Sequence, residues 1–159
     1  MRVAGSIVTP EVLGSIEFGC AAAGAKLIVV VGPNRCAAVQ SAIDSAHGKQ
    51  HPYIRECEYL KPIVQSIESV VRESDSQNRH ALDGKETKDR SDTDNIVRLN
   101  IQRSVREILQ KSTAISALVE SGQIGIVGMM YDVTTGICHV MNETSHGIGT
   151  IEPEASHET

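Results

Sequence analysis

Cys36 is the residue of this 159-residue chain best placed to do chemistry. It follows the break Gly32-Pro33-Asn34 and falls in the first turn of Arg35 to Ala46, a stretch with helical spacing, Val39 and Ile43 on one face and Ala38, Ala42 and Ala46 beside them. A thiol in the first turn of a helix meets free amide N–H groups and the positive end of the helix dipole, which favour the thiolate. A thiolate there can ligate a metal or attack an electrophile. Arg35, with the same amides, makes a candidate site for a small anion. A catalytic zinc needs three protein ligands and an open position, so Cys36 requires partners. On paper these are His47, His51, His80, His139 and His146. His47 lies about three turns along the same helix, about 16 Å away. His139 adjoins Cys138 in a strand-like stretch, where neighbouring side chains face opposite sides. His80 and His146 fall in polar segments. The plain alternative for Cys36 is an ordinary small buried side chain, and it is stronger still for Cys20, Cys57 and Cys138.

Positioning Cys36 falls to the elements around it. Leu27 to Val31 is a continuous apolar, mostly β-branched run, which predicts a strand of a parallel sheet buried on both faces. Gly48 closes the following helix as a left-handed cap. Upstream, Thr9-Pro10-Glu11 is a helix start, with an N-cap, a proline at the first position and an acid against the dipole. Val12, Leu13, Ile16 and Cys20 give that helix its apolar face, and Gly24 ends it. Arg2 to Ile7 predicts a brief strand ending at Gly5. The strand–helix–strand–helix order implies parallel connections, with ligands at the carboxyl ends of the strands.

Beyond a polar turn from Lys49 to Pro52, helical spacing returns from Tyr53 to Glu73 through Leu60, Ile63, Val64, Ile67, Val70 and Val71, with Pro62 near a start or kink. Ser74 to Asp92 reads as a solvated loop or disordered insertion. Asp94 to Lys111 predicts a helix with Val97, Ile101, Val105, Ile108 and Leu109 inside and a solvated face bearing Arg98, Arg103 and Arg106. A short helix, Thr113 to Glu120, ends at Gly122. Ile124 to Tyr131 reads as a strand, Thr134-Thr135-Gly136 as a hairpin turn, and Ile137 to Met141 as its antiparallel partner. From Asn142 the chain reads as a polar, loose tail. The expectation is one α/β domain over residues 1–142, a mostly parallel sheet flanked by helices with a C-terminal antiparallel hairpin, carrying an insertion at 74–92 and a tail at 143–159.

Composition narrows the partners. Only 3% of residues are aromatic and tryptophan is absent, so Ile, Val, Leu and Ala must build the core, and one Phe and three Tyr argue against deep base-stacking platforms. A net charge of -5 without a basic patch argues against nucleic acid. No run approaches the roughly 18 apolar residues of a membrane span, and the start Met-Arg-Val-Ala-Gly is unlike a signal peptide. Four dispersed cysteines with no CxxC pair read as reduced thiols. The expected setting is cytoplasmic.

Several pieces together resemble the β-class carbonic anhydrases. They are the segments Arg2 to Glu17, Lys26 to Gly32, Cys36 to Val39 and Ile126 to Gly136, in the family's order; with the helix at Asn95 to Leu109 they cover most of the chain. The wording is closest to anhydrase-like regions associated with bacterial sulfate-permease-type anion transporters. The resemblance implies a zinc lyase interconverting carbon dioxide and bicarbonate, dimeric, around a mostly parallel sheet. It also implies zinc ligands from an early Cys-x-Asp-x-Arg motif and from a Gly-His-x-x-Cys-Gly loop. At that loop this chain reads Gly32-Pro33-Asn34-Arg35-Cys36-Ala37, so Pro33 stands where the family has histidine. The early motif would precede Arg2 and is not in the sequence. The resemblance further implies a first strand lying between those matching Arg2 to Ala4 and Leu27 to Val31; without it Leu27 to Val31 has an unpaired edge.

Three functions follow as expectations. The leading one is an anhydrase-like domain without carbon dioxide hydration, because two of three zinc ligands and the Asp–Arg pair are absent. It would serve as an accessory, regulatory or dimerising module, with no cofactor expected, Arg35 holding an anion, and a homo-oligomer or an anion transporter as partner. The alternative is an active zinc enzyme with a metal site rebuilt around Cys36. The third, a nucleotide-binding module, ranks low, since the loop has neither the GxxxxGK[ST] nor the GxGxxG pattern.

Overall fold

The computed structural model describes residues 2–49, 54, 56–79 and 90–149. Its helices are α1 (Pro10–Glu17), α2 (Ala37–Ala46), α3 (Lys61–Arg79), α4 (Arg90–Lys111) and α5 (Thr113–Glu120). Its strands are β1 (Leu27–Pro33), β2 (Gly125–Tyr131) and β3 (Cys138–His146), in sheet order β1-β2-β3. β1 runs parallel to β2, with Leu27 opposite Gly125 and Pro33 opposite Tyr131, and β3 is antiparallel to β2. This is the expected α/β arrangement, parallel with an antiparallel hairpin.

Local chemistry sets the helix ends. Thr9 caps α1 by accepting a hydrogen bond from the Val12 amide at 3.4 Å, and Pro10 stands at its first position. α1 continues as a π turn over Phe18–Ala22. Ser112 caps α5, and Pro62 is the second residue of α3, where its missing N–H costs nothing.

α4 crosses one face of the sheet. Ile101, fully buried, lies against Gly32 of β1 and Gly128 of β2; a Cβ added at those positions would come within 2.8 and 2.5 Å of its side chain. Those two glycines let the helix approach the sheet closely. Ile28, Val30, Ile126 and Met130 pack on the same face. The stretch Leu27 to Val31 was expected to be buried on both faces, and it is buried on one. Ile28 and Val30 are 9% and 8% exposed, whereas Leu27, Val29 and Val31 are 45%, 38% and 42% exposed. An apolar run reports what a strand tolerates on each side; only a covering element makes the second side buried. β1 is also the sheet's edge, and its outer side pairs with no strand among the described residues.

Other expectations are corrected. Arg2 to Ile7 contains a 3-10 turn, Ala4–Ser6, in place of a brief strand. Two polar side chains buried on α4 hold it, the Asn100 amide donating to the Gly5 carbonyl at 2.7 Å and the Ser104 hydroxyl to the Ser6 carbonyl at 2.9 Å. Gly5 has φ 68° and a Cβ there would meet Ile67 at 2.5 Å, so both conformation and space call for glycine. The polar stretch 74–92 is helical at both ends, since α3 runs to Arg79 and α4 starts at Arg90; residues 80–89 lie outside the described residues. The buried Ser74 shows that this part of α3 still packs inward. Arg103 is more than a solvated side chain: it pairs with Glu107 at 2.6 Å and donates to the Ser66 carbonyl and the Ser69 hydroxyl, tying α4 to α3.

The tail expected from Asn142 is, through His146, the second half of β3. Thr144, 4% exposed, accepts from the Gly128 amide at 2.7 Å and donates to the Met141 carbonyl at 2.6 Å, just where the β2–β3 register shifts. A polar side chain here serves the sheet, because it satisfies backbone groups that the irregular ladder leaves over.

Candidate functional site

The site predicted around Arg35 and Cys36 lies at the carboxyl end of β1, as the α/β pattern requires. Pro33 ends the strand opposite Tyr131, and the Asn34 amide donates to the Tyr131 carbonyl at 2.9 Å. Arg35 then takes a left-handed conformation, φ 54°, which turns the chain into α2. Cys36 is consequently the N-cap of α2 and not a first-turn residue. Its carbonyl accepts from Gln40 at 2.9 Å, but its side chain caps nothing. The thiol is half-buried against the core, and the helix begins at Ala37, two residues later than the periodicity suggested. The Arg35 side chain is exposed, and its backbone N–H points to Asp94 Oδ1 at 3.4 Å.

The polar groups of this turn are committed to one another. Asn34 Nδ2 donates to Asp132 Oδ1 at 3.0 Å, and Asn34 Oδ1 accepts from the Val133 amide at 3.0 Å. The same Asp132 oxygen accepts from the Thr134 amide at 2.8 Å. These donors, the Thr134 N–H foremost and the Asn34 amide next, lower the Asp132 carboxyl to about 2. Asn34 and Asp132 thus lock the β1–α2 turn to the β2–β3 hairpin, a pairing across 98 residues that sequence reasoning missed. The only signal available was local: Asp132 two residues before Thr134 is an Asx-turn pattern.

Beside the lock is a small cleft of about 200 Å³ lined by Asn34, Asp94, Arg98, Met130, Asp132 and His139. Cys36 is not among its lining residues. The histidines proposed as its partners are dispersed. His47 pairs with Asp75 at 3.2 Å, His146 is exposed on β3 opposite Ile126, and His51 and His80 lie outside the described residues. Among the described residues no three His, Cys, Asp or Glu side chains gather as a metal would need. Cys20 is buried, which pushes its thiol up, and Cys57 and Cys138 are exposed. Among the described residues, the donors around Cys36 do not by themselves fit the zinc that the resemblance implies: the proline side chain offers no lone pair at position 33, and one thiolate cannot fix a tetrahedral ion.

Comparison with known proteins gives the class. The carbonic anhydrase family model matches residues 1–138. The chain is 28% identical over 138 residues to carbonic anhydrase 2 of Mycobacterium tuberculosis, covering 86% of this chain and 58% of that protein. It is equally 28% identical over 136 residues to a carbonic anhydrase of Mycolicibacterium smegmatis, covering 86% and 59%. Among solved structures it is similar to a tetrameric β-carbonic anhydrase of Sordaria macrospora, with TM-score 0.69, 19% identity and coverage of 89% and 66%. The β-carbonic anhydrase of Coccomyxa in complex with acetazolamide gives TM-score 0.68, 20% identity and coverage of 89% and 59%. This chain belongs to the carbonic anhydrase family, and its fold is that of the solved β-carbonic anhydrases. It spans a little under three fifths of the length of the curated relatives it matches. No described helix is long and apolar enough to cross a membrane.

Proposed function

We propose that this chain is an anhydrase-fold domain that does not hydrate carbon dioxide and acts as an accessory, regulatory or dimerising module. The observation that carries this reading is the closed turn at the end of β1. Asn34 is bonded to Asp132 and Val133, and Pro33 occupies the ladder position opposite Tyr131. Hydration on zinc requires three ligands that leave a fourth position open for water. Here Cys36 stands at a ligand position while Pro33 replaces the loop histidine, and Asn34 beside them is engaged in holding two loops together. Arg35, exposed at the entry to α2, is the group for a small anion such as bicarbonate, sulfate or phosphate. A homo-oligomer in the cytoplasm, with an anion transporter as a further partner, completes the reading; the exposed apolar side chains of Leu27, Val29 and Val31 support association.

Metal analysis of the purified chain, paired with stopped-flow carbon dioxide hydration, tests it. The expected result is zinc far below one ion per chain and hydration at background. One zinc per chain together with hydration above background overturns the proposal in favour of an active enzyme with a rebuilt site. Melting curves in bicarbonate, sulfate and phosphate test the anion separately: a flat response to all three removes Arg35 from any binding role.

A further inference from the structure

We draw no further inference here: the strongest candidate, the cleft of about 200 Å³ between the β1–α2 turn, the start of α4 and the β2–β3 hairpin, sets exposed Arg98 and His139 beside Asp94 and Asp132, and nothing in the structure selects the charge or chemistry of a ligand for it.

Discussion

Replacing Thr144 by valine tests how the sheet is held together. The two side chains have nearly the same shape, so the change removes a hydroxyl and little else. In the native chain that hydroxyl, 4% exposed, bonds to the Gly128 amide at 2.7 Å and to the Met141 carbonyl at 2.6 Å. The β2–β3 register shifts between Ile126 and Gly128, and at that irregularity the Gly128 N–H is taken by the Thr144 hydroxyl. A buried donor left without a partner costs about 1–3 kcal/mol, and the carbonyl's lost bond adds about 1 kcal/mol. The sum, about 2–4 kcal/mol, is a large part of the 5–15 kcal/mol that roughly spans ordinary domain stabilities. At about 2–4 °C per kcal/mol for a chain of this length, Tm should fall by about 4–16 °C. Urea unfolding is the assay, with the midpoint lowered and the slope unchanged. Thr144→Ser keeps the hydroxyl and should cost about 1 kcal/mol for its lost methyl. A Thr144→Val midpoint within about 0.5 kcal/mol of the parent would refute the reasoning and mean that residues past Met141 are loose after all.

Three further outcomes are expected. The Asp132 carboxyl sits at about 2 against an ordinary 3.8, so its contribution is present above about pH 4 and lost as pH falls toward 2. The Tm gap between parent and Asp132→Asn should narrow over that window; a gap constant from pH 5 to pH 2 contradicts it. Ser112 caps the Ile115 amide at 3.1 Å and donates to Glu17 at 2.6 Å, so Ser112→Ala should lower stability by about 1–2 kcal/mol in calorimetry, and an unchanged Tm would exclude the cap. Iodoacetamide should modify exposed Cys57 and Cys138 first, half-buried Cys36 more slowly, and Cys20 only on unfolding, since burial raises its pKa; peptide mapping that finds Cys20 modified early would contradict the packing of the π turn.

The sequence by itself determined most of the elements and several of their ends. Thr9-Pro10 and Gly122 carry their instructions in two or three residues, and Val97, Ile101 and Val105 mark the buried face of α4 through period alone. The donor count at the loop was also readable, since Pro33 has no lone pair wherever it sits. Tertiary structure decided what depends on a distant partner. Leu27, Val29 and Val31 are as apolar as Ile28 and Val30, and only the side on which α4 lies separates exposed from buried. Thr144 looks like tail until Gly128 supplies an amide for it to satisfy. Asn34 looks like turn until Asp132 arrives from across the chain. Short-range chemistry is written along the backbone, whereas burial and pairing are properties of whichever surfaces the folded chain brings together.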